Sequence, residues 1–349
     1  MMERIAAEPL ERHVAAILTG HGVSDAQARS VARNTIWSAL VGRDNFSFGR
    51  LPIHVRRLEA GVLNGAAEPT VEPSGNNIAL IDGQDGFGHY AGERGMAEAI
   101  DLAAQSGTGI AAVRNSNFFG TGAYFVNMAA EAGMIGIAAS NSFPKVIAHG
   151  GNRAVLGTNP FAFGAPRADG RHLLFDMATS GLAGSTVRQH IAEGTPLPEG
   201  LAVAPDGSPV TDPRKVSEGA LTPFGGAKGY GLALMVEILA GVLTGAGMAE
   251  GVASLYNDFD KSGHSGHFLM AIDIARFMPL DAFTGRMDML AAMLRESGPE
   301  GAVLLPGEVR WRAYDENKRL GIRLTTEDRR ILAELAAPLG LTPPWSEAA

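Results

Sequence analysis

The sequence predicts an α/β protein, with helices packed on a mixed β-sheet and helical segments at both chain ends. Three observations carry this. Between residues 78 and 139, short apolar runs suited to strands alternate with longer stretches at helical spacing, the pattern of helices packed against a largely parallel sheet. Beyond it, the strand-like runs 161–163 and 173–175 lie too close together for a crossover helix, so the sheet must be mixed. Near each end of the chain, apolar residues recur three and four apart, which is the helical period.

Each element has its own signal. Leu10, Val14 and Leu18 share one helical face after Pro9, a residue suited to a first helical position. Ser24 with Gln27 reads as a capping box opening a second helix that runs to about Leu40. A third helix begins near Pro52 and turns Val55, Leu58 and Val62 inward. Residues 78–82 form a strand, 92–106 a helix, 109–113 a strand, 122–133 a helix and 135–139 a strand. The Pro-, Gly- and Asp-rich residues 193–225 form a long loop or arm. Residues 229–243 form an apolar helix and 267–274 another strand. The tail is helical over 285–296 and 326–337, the latter opened by Thr325 and Asp328.

Composition sets the limits. A chain of 349 residues, 46% hydrophobic and 19% charged, supplies a substantial core for one large domain or two modest ones. A net charge of −8 without a basic stripe argues against nucleic acid. The absence of cysteine removes disulfides, thiolate nucleophiles and Cys-based zinc sites. Met1-Met2-Glu3-Arg4 leads into an amphipathic segment without the apolar centre of a signal peptide. The apolar run 232–243 is too short to span a bilayer and is interrupted by Glu237. The expectation is a cytoplasmic protein with no membrane partner.

Some local motifs bear on chemistry. Gly86-Phe-Gly88-His-Tyr-Ala-Gly92 lies between a strand and a helix, but its third glycine comes one residue late for a dinucleotide fingerprint. Arg114 stands where the acidic residue would be, so a tight turn is the better reading. Lys228, in Gly225-Gly-Ala-Lys-Gly-Tyr-Gly231, lacks phosphate-loop spacing; a glycine-flanked lysine at a helix start can still hold a phosphate. His264 and His267 are spaced as a metal pair with no third ligand in view, so no metal is expected. His149, ahead of two glycines, faces either a ligand or its own loop. The residues alone support an α/β enzyme of open ligand.

Longer segments go further. Arg114-Asn-Ser-Asn117 followed by Phe119-Gly120 is similar to the R-N-S-N-H-F-G segment of the type-2 malate/L-lactate dehydrogenase family. Gly157-Thr-Asn-Pro160, Asp176-Met-Ala-Thr-Ser180, Ala227-Lys-Gly-Tyr-Gly231 and Pro306-Gly-Glu308 follow in the family's order. Arg50-Leu-Pro52 and Arg57-Leu-Glu-Ala-Gly61 resemble the stretch after its S-H-G triplet. The resemblance runs from the first helices to near the C-terminus. It embraces ureidoglycolate, sulfolactate, diketogulonate and piperideine-2-carboxylate oxidoreductases.

That resemblance implies a three-layer α/β/α fold with a mixed seven-stranded, non-Rossmann sheet. A nicotinamide-binding domain would cover residues 77–277, and a helical substrate and dimerisation domain 1–76 plus 278–349. It implies a homodimer that uses NAD or NADP, with cofactor contacts at Ser142, Asp176, Met177, Ala178, Lys228, Pro306, Gly307 and Glu308. Arg50 corresponds to the arginine that grips the substrate carboxylate, a task suited to a guanidinium fork. Asn45, Phe143, His149 and Thr158 join it in the substrate pocket.

The chain also departs from the pattern. The S-H-G triplet falls on Asn45-Phe46-Ser47, and the histidine after R-N-S-N is Phe118. Phenylalanine cannot move a proton, and proton delivery to a forming alkoxide is worth roughly 10²–10⁴-fold in rate. His54, four residues after Arg50, would share its pocket and act beside it if the helix has begun there; a partly exposed helix histidine is the equal alternative. Phe46, Phe118, Phe119 and Phe143 point to an apolar or aromatic substituent on the substrate. The expected function is an NAD(P)-dependent dehydrogenase or reductase of a 2-oxo acid, 2-hydroxy acid or cyclic imine carboxylate. The alternative is the same fold turned to elimination, cyclisation or plain ligand binding.

Overall fold

In the computed structural model, which describes residues 4–345, the chain opens with β1 (Arg4–Ile5), α1 (Ala7–Gly20), α2 (Asp25–Leu40) and α3 (Leu51–Glu59). The reading of Met1-Met2-Glu3 lies outside the described residues. Next come β2 (Thr70–Pro73), β3 (Ile78–Asp82), α4 (Gly88–Ser106), β4 (Thr108–Ser116), α5 (Gly122–Glu131) and β5 (Met134–Ser140). The middle holds β6 (Val146–Ile147), β7 (Ala154–Leu156), β8 (Phe161–Ala165), β9 (Leu173–Met177) and α6 (Gly184–Glu193). After β10 (Ala202–Val203), β11 (Ala220–Leu221) and α7 (Ala227–Glu237) comes β12 (Ser265–Asp273). The chain closes with α8 (Leu280–Glu296), α9 (Glu308–Leu320), β13 (Ile322–Arg323) and α10 (Thr326–Ala336).

Local signals decide most boundaries, with instructive exceptions. The α10 capping box is complete: Thr325 and Asp328 bond each other's backbone N–H reciprocally. Pro52 sits in the first turn of α3, where a missing N–H costs nothing. The box expected at Ser24 does not form. Gln27 turns away to accept from the Phe87 N–H at 2.9 Å and to donate to the carbonyls of Asn64 and Gly65. Its amide thus ties α2 to the start of α4, a better use of a buried polar group. Helix α1 starts at Ala7, so Pro9 is its third residue, still within the turn whose N–H groups lack intrahelical partners.

Seven strands form the main sheet in the order β2-β3-β4-β12-β5-β8-β9. Only β3 and β4 pair in parallel; all its other neighbours are antiparallel. The expectation of a largely parallel sheet is therefore corrected. Strand β12, late in the chain, inserts between β4 and β5 and runs against both. Side chains alternate across this sheet. Ala111, Val113, Ala138, Leu269 and Ala271 pack under Met96 and Ala99 of α4 and Val126 of α5. Ala139 and Phe268 face the other way, onto Val236 of α7 and Ala240 of the π-helical turn Ile238–Val242. Helices on both faces make three layers. Close approach is enforced by glycine: a Cβ on Gly109 would lie 2.0 Å from the Ala99 carbonyl oxygen, and one on Gly266 1.8 Å from that of Ala240.

Residues 193–225 are more ordered than an arm. Strands β10, β11, β6 and β7 form a second, four-stranded sheet, whose core joins Leu197, Val210 and Leu221 to Val146, Leu156 and Ala233. The chain ends meet in a third core. Leu10, Val14, Ile17 and Leu18 of α1 and Val31 and Ile36 of α2 pack with Ile322, Leu324 and Leu332. Helix α9, which sequence periodicity did not single out, joins the layers: Trp311 lies in the sheet core and Tyr314 borders both.

Candidate active site

A cavity of about 390 Å³ opens where β4, β5 and β9 end and β12 begins. The carboxyl ends of strands, where loops diverge, are the usual place for a ligand site in an open α/β sheet. The α2–α3 connection contributes Arg43, Asn45, Phe46 and Arg50. Phe118 comes from the loop after β4, Ser142, Phe143 and Lys145 from the loop after β5, and Met177 and Ala178 from the end of β9. Arg188 of α6, Tyr256 and Arg310 of α9 complete the wall. Thr158 also lines it.

Arg50 is held without a carboxylate partner among the described residues. Its Nε donates to the Asn45 carbonyl at 2.8 Å, and its guanidinium bonds the Tyr256 hydroxyl. Its Cζ lies 5.6 Å from the Phe118 ring centre and 5.5 Å from that of Tyr256, both cation–π distances. Phe46 and Phe118 lie parallel, 6.1 Å apart. Lys145 Nζ sits over Phe143 at 4.9 Å and Tyr256 at 5.4 Å. Burial first, then the charges of Arg188 and Arg50, holds its ammonium below the usual lysine range. The lining thus carries six basic side chains and one carboxylate, Asp176. Such a wall selects anions.

His54 is not in that wall, which corrects its assignment as a catalytic residue. Helix α3 has indeed begun, but His54 falls on its inner face with Leu51 and Val55 and is 3% exposed. Its ring packs against Phe87 at 5.4 Å, His89 at 5.5 Å and Phe118 at 6.0 Å, and its Nε2 has no hydrogen-bond partner among the described residues. Burial above all, then His89, Arg50 and Arg57, pushes its pKa well below the ordinary value. His89, equally buried, is pushed down to about 3. Both are buried imidazoles outside the cavity lining.

Several motif residues serve the scaffold. The Asp176 carboxylate accepts from Thr121 Oγ1 at 2.6 Å and the Ala123 N–H at 3.1 Å, with Arg310 at 3.6 Å. All three meet its Oδ2, which caps α5. Asn159 holds the loop after β5 by accepting from the Ser142 N–H, while its amide donates to the buried Glu237. His267 bridges Ser140 at 2.9 Å and Ser116 at 2.8 Å and stacks on Phe119, so its role is internal. The Gly88 turn is steric, for a Cβ there would meet the Asn117 carbonyl oxygen at 2.1 Å.

Five expected site positions lie elsewhere. His149 is exposed beside Gly226, in a separate depression. Lys228 is exposed in the first turn of α7 and does not line the cavity. In the Pro306-Gly307-Glu308 turn, Pro306 accepts from the Leu174 N–H, Gly307 starts α9 at φ +99°, and Glu308 pairs with Arg295. One turn further on, Arg310 does reach the cavity.

Against known proteins, residues 5–333 match the family described as Malate/L-lactate dehydrogenase. The chain belongs to that family. It is 34% identical over 332 residues to L-sulfolactate dehydrogenase of Methanothermobacter thermautotrophicus, covering 95% of each chain. It is 36% identical over 349 residues to malate dehydrogenase of Pyrococcus abyssi, covering 97% of this chain and 95% of the other. The solved structure of delta1-piperideine-2-carboxylate reductase from Pseudomonas syringae superposes with a TM-score of 0.89 at 32% identity, over 96% of this chain and all of that one. As a member of the malate/L-lactate dehydrogenase family, the chain is an oxidoreductase. Among the cavity residues of this dehydrogenase that sequence reasoning missed are Arg43, Lys145, Arg188, Tyr256 and Arg310. Only Arg310 had a signal, its place just after the Pro306 turn.

Proposed function

We propose that this protein is an NAD- or NADP-dependent dehydrogenase or reductase of a small 2-oxo acid, 2-hydroxy acid or cyclic imine carboxylate. Arg50 carries the reading. It presents a guanidinium to an enclosed, cation-rich cavity, already oriented by Asn45 and Tyr256 and free of any carboxylate among the described residues. A substrate carboxylate is the natural occupant. Phe46, Phe118 and Phe143 give the rest of such a substrate an aromatic surface, which favours an apolar or aromatic substituent. The relatives' names support the class, since sulfolactate, malate and piperideine-2-carboxylate all carry a carboxylate. They are dehydrogenases and a reductase, and no observation favours the non-redox alternative.

The cavity suits a nicotinamide cofactor. Arg310 Nη1 is a buried donor without a protein partner at the wall, which an anionic or carbonyl oxygen would satisfy. Ser142, Met177, Ala178 and the Asp176–Arg310 pair would hold the cofactor, with Arg43 and Arg188 near its phosphates. Lys228 and the Pro306–Glu308 turn remain expected contacts only if a second protomer or a closed form brings them in. When bound, the nicotinamide supplies or accepts a hydride; Arg50 orients the acid, and the phenylalanines exclude water.

The domain reading places the cofactor on residues 77–277 and the helical part on 1–76 with 278–349. A homodimer accounts for the apolar side chains that α7 and its π-helical turn leave exposed, Leu232, Ile238 and Val242 among them. Titration calorimetry should detect NADH or NADPH at micromolar to millimolar concentration, on a protein that sediments as a dimer. Pyruvate, phenylpyruvate, oxaloacetate and piperideine-2-carboxylate, tested as a panel, should then reveal oxidation of the bound cofactor. Failure of both cofactors to bind at millimolar concentration overturns the reading.

A further inference from the structure

The proton of the reaction has no donor among the residues expected for it. Phe46 and Phe118 cannot supply one, and His54 and His89 lie outside the cavity lining. Resting on the oxidoreductase reading above, we propose that Lys145 is the catalytic acid and base, exchanging a proton between its Nζ and the substrate's reacting oxygen or nitrogen.

Three observations carry this. First, Lys145 lines the cavity on the same aromatic ring as Arg50: its Nζ is 5.4 Å, and the Arg50 Cζ 5.5 Å, from the Tyr256 centre. A 2-oxo acid bears its reacting carbonyl on the carbon next to the carboxylate. A donor beside the carboxylate grip therefore stands beside that carbonyl. Second, the backbone that carries the side chain is anchored. The Lys145 N–H donates to the Leu156 carbonyl at 2.8 Å, and its own carbonyl accepts from Leu221 at 2.8 Å, so the small sheet fixes its backbone. Third, no carboxylate pairs with Nζ among the described residues; the charged groups acting on it are Arg188 of α6 and Arg50, and both repel its proton. A lysine placed so becomes a better acid near neutral pH than an exposed one.

In reduction, a hydride from the nicotinamide, which is thereby oxidised, forms the new C–H bond. The carbonyl π bond breaks and its electron pair passes to oxygen. An N–H bond of the Lys145 ammonium breaks as the O–H bond forms, and the neutral amine regains a proton from water. Oxidation of the alcohol is the reverse, with the amine as base.

The test has two parts. The chain holds five lysines, so competitive acetylation read by peptide mass resolves each. Lys145 should titrate well below the other four and be protected by oxamate, a measurement that needs no turnover. Lys145→Met should lower kcat by about 10²–10⁴-fold with KM and NAD(P)H affinity within a few-fold. The loss of kcat for reduction at rising pH should disappear with it, and ethylamine should restore part of the rate to Lys145→Ala. A Lys145 that titrates with the other four, or a Lys145→Met enzyme that keeps kcat and its pH limb, overturns the proposal. A limb that survives Lys145→Met but vanishes in Tyr256→Phe overturns it too and moves the role to the phenol. Failure of the wild type to bind either cofactor sinks the oxidoreductase reading instead, whatever the labelling shows.

Discussion

Arg50, His54 and His89 all pack near the Phe118 ring, the two imidazoles at ring distances of 6.0 and 5.6 Å, but only Arg50 lines the cavity. The Arg50 guanidinium reaches the cavity and a phenol. The two imidazoles lose their charge because they are enclosed, with Nε2 of one and Nδ1 of the other unpartnered among the described residues. A third buried imidazole sharpens the contrast: His267 is as enclosed as they are, yet both its nitrogens are bonded to serines. Burial alone makes a histidine neutral; it takes hydrogen bonds to make a buried one stabilising, and contact with the cavity to make any residue functional.

The largest effect should come from the cavity side. Arg50→Ala should raise KM for the carboxylate substrate by about 10- to 100-fold, as expected for losing a hydrogen-bonded charge worth about 1.5–3 kcal/mol, with NAD(P)H affinity little changed. An unchanged KM would place the carboxylate elsewhere, with Lys145 or Arg188 as its grip.

Among the buried imidazoles the contrast becomes one of stability. Ser140→Ala removes the hydroxyl on His267 Nδ1 and should cost about 1–3 kcal/mol in urea unfolding, since it strands a buried polar atom. His54→Phe removes no hydrogen bond that the described residues make, so its cost should stay within about 1 kcal/mol and turnover should persist. Equal costs would mean that His54 has a partner, such as an enclosed water; lost turnover would return His54 to the reaction.

Acid should produce the smallest effect per residue. His54, His89 and His267 all have folded-state pKa values depressed below 6.5, the latter two to about 3. Below pH 6.5 the unfolded chain takes up these protons and the folded one does not, so stability falls as pH drops, until the folded pKa values are reached. His89 and His267 should each cost about 1 kcal/mol between pH 6.5 and 5.5. His267→Gln should remove one such share, seen as a shallower slope of unfolding free energy against pH. The same slope in that variant would mean that His267 is already charged in the fold.

Much of the architecture was legible because its signals are local. The capping pair Thr325 and Asp328, the proline in the first turn of α3 and the closely spaced β8 and β9 each state their structure within a few residues. The site was legible only in part. Arg50, Asn45, Phe46, Phe118, Ser142, Phe143 and Thr158 line the cavity as the family segments implied, whereas His54, His149, Lys228 and the Pro306 turn do not. Lys145 and Tyr256 gave no signal, because a single cation or phenol in a loop means nothing until folding sets it against Arg50.

By itself the sequence determined the α/β class and the membership of its segments in one family. Each of these depends on residue identity or on spacing along a few turns. Only the tertiary structure decided that β12 enters between β4 and β5, that Asp176 caps α5, and that His54 packs near Phe118 outside the cavity lining. Periodicity tells which face of a helix is covered, but not by what. On α3 the covering atoms come from the start of α4 and the loop after β4, distant in sequence from His54, and it is their low dielectric that keeps the imidazole uncharged.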